Sequence, residues 1–182
     1  MLLELRPHPD TPEYYVDEIT VDVVRDGACL SLEYITSGRG DSAIFMPPEK
    51  PSGRADRLWE HTCYELFVRH VGGEGYLEFN FSPSGEWAAY RFDGYRTGMT
   101  NAEDVTVGEF RQSFCGDRHE LEVDLDLGGA AYATAPLQIG ISAVIEIHGG
   151  RKSYFALVHA PGKPDFHHPE TFAAILPAVE PA

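Results

Sequence analysis

Short segments of alternating apolar and polar residues recur about every 10–15 residues, and this pattern constrains the fold more than any other feature of the chain. Because the side chains of a strand point alternately to its two faces, each segment predicts a strand that is buried on one side. No window keeps apolar residues at helical spacing for more than about a turn. The chain is therefore predicted to be an all-β sandwich, with a hairpin at residues 75–96 and further strands at 16–24, 28–36, 59–70, 104–114, 119–127, 137–148 and 153–159.

The hairpin predicted at residues 75–96 combines an apolar face with a face of mixed polar chemistry. Its apolar residues alternate, which predicts that they lie in the core: Leu77, Phe79, Phe81, Ala88, Tyr90 and Phe92. The opposite phase holds carboxylates, an amide, an indole and a guanidinium, which are predicted to share one exposed surface: Glu78, Asn80, Trp87, Arg91 and Asp93. Such a surface suits a sugar, because hydroxyls take bidentate polar partners and the C–H face of the ring packs on an aromatic plane.

Neighbouring strands are predicted to extend this surface. The strand at 59–70 begins with Trp59 and carries Glu65 in its outward phase, and the strand at 137–148 carries Glu146 and His148 in the same way. For Glu146 and His148, an ordinary solvated face is the alternative interpretation, since the outer faces of sandwiches are normally polar. The Gly-, Ser- and Pro-rich residues 36–57 predict a long surface loop, which leaves open whether this loop closes over the site.

Two other chemistries are considered for the same residues and for the histidines. Glu65 and Glu78 could flank a glycosidic bond as acid and base or nucleophile, although nothing in the sequence sets their separation. Met99, His148 or His168 could ligate haem or a metal ion, although no second ligand lies at the spacing of a metal site. The acidic row at residues 120–126 lacks the spacing of a calcium loop and is interpreted as a solvated strand face.

Length and charge restrict the class of protein. The 182 residues, 43% of them hydrophobic, suffice for one well-buried core, so a single domain over residues 1–182 is predicted. The formal net charge of −15 disfavours nucleic acid and anionic membranes as partners. The N-terminal residues lack the apolar core of a secretory signal, and a cytoplasmic location is expected. We expect no cofactor, no membrane partner, and a monomer or weak dimer.

Three segments carry a resemblance to a known family: RLWEHTCYELFV, YLEFNFSPSGEWAAYRFDGYR and PDFHHPETF. In this order they resemble bacterial DOMON-like proteins related to the family 9 carbohydrate-binding modules. The resemblance implies an immunoglobulin-like β-sandwich of two antiparallel sheets that binds a sugar or haem and has no catalytic activity. The positions that match the sugar-gripping residues of the relatives are Trp59, Glu65, Glu78, Asn80, Trp87 and Arg91. Many relatives carry an Asp shortly after the first Trp, where this chain has His61 and Thr62, which weakens a metal site there.

Pattern and resemblance together predict a β-sandwich that binds a small carbohydrate-like ligand without catalysis. Trp59 and Trp87 are predicted to stack on the sugar, and the hydrogen-bonding residues are predicted to be Glu65, Glu78, Asn80, Arg91, Glu146 and His148. The alternatives are a haem- or metal-binding domain that uses Met99, His148 or His168, and a glycoside-active enzyme that uses Glu65 and Glu78.

Overall fold

The computed structural model describes residues 1–11, 15–38 and 44–179, and β-strands make up most of this part of the chain. The strands, numbered in chain order, are β1 (Leu2–Pro7), β2 (Val16–Asp26), β3 (Cys29–Gly38), β4 (Gly53–Arg54), β5 (Cys63–His70), β6 (Tyr76–Phe81), β7 (Glu86–Phe92), β8 (Thr100–Asn101), β9 (Thr106–Cys115), β10 (Arg118–Asp126), β11 (Leu137–Glu146), β12 (Lys152–Ala156) and β13 (Ala174–Leu176).

Backbone hydrogen bonds link the described strands into one sheet, in the order β4-β7-β6-β5-β11-β12-β1-β2-β3-β10-β9. β13 pairs with β11, and β8 pairs with β7. β1 joins the two parts of the sheet, because Leu2–Leu5 pair with β2 whereas Arg6 and Pro7 pair with β12. Neighbouring strands are antiparallel except for β4 and β7.

The sheet curls around one apolar core, to which both of its parts contribute. Ile19, Leu32 and Leu121 come from the part built by β2, β3, β9 and β10, and Leu66 and Phe79 come from the part built by β5, β6, β7 and β11. Each of these five side chains is almost fully removed from water. Burial of this apolar area is the main force that holds the two parts of the sheet together.

Helices contribute little to the described structure. They are α1 (Ala130–Thr134) and two 3₁₀ turns, Leu58–Glu60 and Pro169–Thr171. None of the helices in the described ranges has the length and apolar character needed to cross a membrane.

The prediction of an all-β chain is confirmed, but the prediction of two separate sheets is not. The strands form one curled sheet, a half-barrel, because β1 continues the hydrogen bonding from one part to the other. A strand that pairs with one neighbour through its first residues and with another through its last residues carries no distinct alternation pattern, so the sequence did not indicate the junction.

Candidate functional site

The face of β5, β6, β7 and β11 that points away from the core is polar at its centre and yet buried; we call it the site face. On β5 it carries Cys63, Glu65 and Phe67, which confirms the predicted phase of that strand. Register places Glu65 opposite Asn80 on β6 and opposite Ser142 on β11. A solvated sheet face would leave these polar side chains exposed, whereas here they are covered.

A cavity of about 460 Å³ lies over the site face. The strands contribute its floor, with Glu65, Glu78, Phe92 and Val144. Its walls come from segments outside these strands and from β12: Trp59, Glu60, Arg96, Met99, Lys152, Tyr154, Pro164, Phe166 and His167. The volume lies within the roughly 300–1,000 Å³ that small-molecule sites occupy.

The two carboxyl groups of the floor are held by neutral hydrogen-bond donors. Ser142 Oγ donates to Glu65 Oε2 over 2.9 Å, and Asn80 Nδ2 donates to Glu78 Oε1 over 2.8 Å. The amide oxygen of Asn80 in turn accepts a weak hydrogen bond from the buried Cys63 thiol, with a sulfur–oxygen distance of 3.7 Å. These bonds fix the orientation of both carboxyl groups, because every partner is itself buried.

Burial changes the acidity of both carboxyl groups. Loss of water raises the pKa of Glu65 to about 8, with repulsion from Glu78 as the next largest cause. Loss of water also raises the pKa of Glu78 to about 7, against the opposing effects of the Asn80 hydrogen bond and of Arg96. Two ionised carboxylates in a low-dielectric site repel each other, so the pair holds a proton near neutral pH.

His167 forms the wall above Glu78. Its Nδ1 lies 2.8 Å from the hydroxyl of Tyr76, which also accepts the backbone N–H of Arg96 over 3.3 Å. Burial, followed by the positive charge of Arg96, lowers the pKa of His167 to about 4, so the ring is neutral at pH 7. Its Nε2 is 3.7 Å from Glu78 Oε2, which is too long for a hydrogen bond and, with a neutral ring, does not make an ion pair.

Arg96 lies beside the cavity with its guanidinium already engaged. It donates to Asp165 Oδ1 over 2.8 Å, and the hydroxyl of Tyr95 donates to Asp165 Oδ2 over 2.6 Å. Although burial disfavours the Asp165 carboxylate, these two hydrogen bonds keep its pKa below the usual range. Arg96 also has a φ of 53°, which a residue other than glycine adopts at a cost of about 1–3 kcal/mol. The hydrogen bonds to Tyr76 and Asp165 offset this strain.

Trp59 supplies an accessible aromatic ring at the mouth of the cavity. It lies in the 3₁₀ turn Leu58–Glu60 and is 37% exposed. One edge contacts the ring of Tyr90 with a centroid distance of 6.2 Å, and the hydroxyl of Tyr90 donates to Asp56 over 2.6 Å. Tyr90 therefore supports Trp59 from the site face and limits the orientations of the indole.

The predicted position of Trp87 and Arg91 is wrong. Register pairs Phe81 with Trp87 and Leu77 with Arg91, so both lie on the core side of β7, opposite to Glu78 and Asn80. Trp87 packs against the apolar core under the guanidinium of Arg54, 4.7 Å from the ring centroid, and Arg91 pairs with Asp104 over 2.7 Å. Neither residue lines the cavity.

The error arose at the turn of the hairpin. Five residues, 82–86, separate the directly paired Phe81 and Trp87, so that odd-numbered residues share one face in both strands. The alternation of apolar residues along the hairpin predicts that Tyr90 and Phe92 lie in the main core. They are indeed buried, but in a second apolar cluster on the site face, together with Phe67, Tyr76 and Phe172.

Glu146 and His148 lie beyond the cavity. Glu146 Oε2 is 2.6 Å from Nδ1 of His61, and His148 is exposed beside the ring of Phe45. Neither lines the cavity. Part of the predicted loop, residues 39–43, falls outside the described residues, and residues 44–57 do not line the cavity.

The described contacts do not bring together the residues that were proposed to bind haem or a metal ion. Met99 lines the cavity, His148 lies beside Phe45, and His168 caps the 3₁₀ turn Pro169–Thr171, where its Nδ1 accepts the Glu170 N–H. Within the described residues no three His, Cys, Asp or Glu side chains form a group that could hold a metal ion.

Sequence reasoning missed much of the cavity wall. Tyr154 belongs to a predicted strand, Arg96 closes the predicted hairpin, and Phe166 and His167 lie in the segment PDFHHPETF. That segment was singled out only as part of the family resemblance and as a source of metal ligands. The aromatic and imidazole side chains of this segment are typical of a binding-site wall. Their position over the site face, however, depends on tertiary folding.

Solved structures of other proteins share this fold. A candidate carbohydrate-binding protein from Bacteroides uniformis matches with a TM-score of 0.66 at 15% identity, over 94% of this chain and 83% of that one. A family 9 carbohydrate-binding module from Caldicellulosiruptor kristjanssonii in complex with cellotriose matches with a TM-score of 0.56 at 9% identity, over 89% and 74% of the chains. A family 9 module from the same organism in complex with glucose gives 0.51 at 9% identity, over 87% and 76%.

At these identities the likeness establishes a common fold. No family model matches the chain, and no curated protein matches it.

Proposed function

We propose that this chain binds a small carbohydrate in the cavity over the site face and does not alter it chemically. The observation that carries the proposal is one cavity that combines two buried carboxyl groups, Glu65 and Glu78, with the accessible indole of Trp59. Carboxyl groups accept hydrogen bonds from sugar hydroxyls, and an indole packs on the C–H face of the ring. The fold shared with family 9 modules that hold cellotriose and glucose supports the same function.

This proposal separates the predicted site residues that lie in or beside the cavity from those that lie outside it. Glu65 and Glu78 contact the ligand, Asn80 orients Glu78, and Trp59 stacks on the sugar. The other aromatic walls are Tyr154 and Phe166, whose ring centroids lie 6.1 Å apart. Trp87, Arg91, Glu146 and His148 are left out, because they lie outside the cavity.

Titration with a panel of neutral mono- and disaccharides tests the proposal. Fluorescence of a Trp87→Phe variant reports on Trp59, since the chain has two tryptophans. We expect a saturable change at millimolar sugar or below, and a matching heat of binding by calorimetry on the unmodified chain. A flat response in both measurements across the panel would contradict the proposal.

A second candidate is glycoside hydrolysis, which one observation favours. A raised pKa in a cavity is typical of a general acid, and burial of Glu65 and Glu78 beside each other meets that one condition. Incubation with chromogenic glycosides tests this candidate, and activity that is lost in Glu78→Gln would support it. Absence of turnover by a chain that binds the same sugars leaves binding as the function.

A further inference from the structure

The carboxyl pair at the cavity floor has no cation in direct contact among the described residues, although the charge of Arg96 acts on both groups from the cavity wall. No arginine or lysine in those ranges forms an ion pair with Glu65 or Glu78. The guanidinium of Arg96 is engaged by Asp165, and His167 is neutral at pH 7. An unpaired buried charge is costly, so the carboxyl pair holds a proton near neutral pH. A cation bound between the two groups would take the place of that proton and pair the carboxylate directly.

One oxygen of the pair is directed at the cavity and available to a ligand. Glu65 is 3% exposed, and its Oε2 accepts from Ser142 while its Oε1 has no hydrogen-bond partner in the described structure. Although Oε1 has no partner, it is not fully sealed from solvent, so it keeps some accessible surface. Because Glu65 lines the cavity and Oε1 is neither sealed nor hydrogen-bonded, Oε1 is the oxygen that a ligand in the cavity would meet.

Lys152 lines the cavity but is remote from this oxygen. Register places Ala156 and Glu65 on either side of Ser142, and it pairs Lys152 with Glu146. Lys152 is therefore two strands across and four residues along from Glu65, with their backbones roughly 16 Å apart. A lysine side chain does not bridge that gap, so the positive charge stays at the far end of the cavity.

We propose that the cavity selects a carbohydrate that carries a protonated amine, which it places between Glu65 and Glu78 as their missing cation. This inference rests on the proposed function and names its ligand class. An ammonium group donates three hydrogen bonds, which suits the free Glu65 Oε1 and Glu78 Oε2, whose contact with His167 Nε2 at 3.7 Å is too long for a hydrogen bond. A neutral hydroxyl donates only one.

Calorimetric titration with four matched probes at pH 6.5 tests the inference. Glucosamine carries the ammonium, whereas glucose and N-acetylglucosamine are neutral and glucuronate is anionic; an amine of this kind is mostly protonated at that pH. We expect glucosamine to bind at least fivefold more tightly than each of the other three. A smaller ratio, or tighter binding of glucuronate, would overturn the inference while leaving carbohydrate binding intact. Binding of none of the four overturns the inference, and binding of no sugar in the neutral panel either overturns the proposed function as well.

Isosteric variants show whether Glu65 and Glu78 cause the preference for glucosamine over glucose. Glu65→Gln and Glu78→Gln keep side-chain volume and remove one carboxylate each, so the ratio of glucosamine to glucose affinity should fall at least threefold in each variant that folds. Glu122→Gln is the control, because it removes one acid from a half-buried position on β10, outside the cavity, that pairs with Arg111. Circular dichroism checks the fold of each variant. If both site variants keep the parent's ratio of glucosamine affinity to glucose affinity, the preference does not come from the carboxyl pair and the inference is wrong.

Discussion

The two faces of β6 differ in chemistry although all six of its residues are buried. Toward the core, Leu77 and Phe79 pack among apolar side chains, and no polar group needs a partner. On the site face, Asn80 donates a hydrogen bond to Glu78, and Glu78 lines the cavity. The core face therefore stabilises the fold, whereas the site face holds polar groups at a cost in stability. Burial alone does not distinguish a core from a binding site.

The largest expected effect comes from the core face. Phe79→Ala should lower the free energy of unfolding by about 3–5 kcal/mol, because it removes a fully buried ring and leaves a cavity. Urea denaturation measures the change. The matched control is Ile175→Ala on β13, whose side chain is 53% exposed. A loss below about 1 kcal/mol for Phe79→Ala would show that the core face is not packed as described.

The next largest expected effect is a change in the free energy of unfolding that comes from the site face and depends on pH. The pKa of Glu65 is about 8 in the folded chain against a reference value of 4.5, so between these pH values the folded state binds more protons than the unfolded state. Stability contributed by this group is present below about pH 4.5 and is lost as the pH rises to about 8. Glu65→Gln should therefore be more stable than the parent at pH 9, by a few kcal/mol, and by much less at pH 4.

Denaturation at both pH values checks this prediction, with Glu122→Gln as the control for an acid outside the cavity. If Glu65→Gln and the parent keep the same difference in unfolding free energy at pH 4 and pH 9, Glu65 is not held in a water-poor site.

The two tryptophans provide a smaller and more specific contrast. Trp59→Ala should weaken sugar binding about tenfold, because contact between an indole and a sugar ring contributes about 1–2 kcal/mol. Trp87→Phe should change the affinity less than twofold, since Trp87 lies on the other side of the sheet beneath Arg54. Calorimetry with the best sugar of the panel measures both. If Trp87→Phe weakens sugar binding more than Trp59→Ala does, Trp87 belongs to the binding surface and Trp59 does not.

The smallest effect is expected at Arg91. Its ion pair with Asp104 joins side chains that are 35% and 62% exposed, so Arg91→Ala should cost less than about 1 kcal/mol of stability and leave sugar affinity unchanged. Arg54→Ala is a useful counterpart, because Arg54 donates to the carbonyls of Ala89 and Ala102 and should cost more. Thermal unfolding ranks the two variants. A drop in sugar affinity for Arg91→Ala would argue that the register of β7 differs from that described.

The fold class and several strand phases could be predicted from the sequence, for a physical reason. Where one face of a strand meets the core and the other is polar, as in β3 and β10, alternation reports the two faces directly. Alternation also predicts that Glu65 and Glu78 point away from the core, as they do, but the predicted exposure of this face is wrong because both residues are buried. The rule failed at β7, because Ala88 and Ala89 are both buried and both faces carry aromatic residues, so alternation gives no unique phase.

By itself, the sequence determined that the chain is built from strands and that Glu65, Glu78 and Asn80 share a face, since period-two alternation is a local property. Tertiary structure alone decided that this face is buried, that the sheet is continuous through β1, and that His167, Arg96 and Trp59 form walls around the carboxyl pair. The reason is that register across a turn and the packing of remote segments depend on contacts between residues far apart in the chain. Those contacts turn a polar strand face into a cavity.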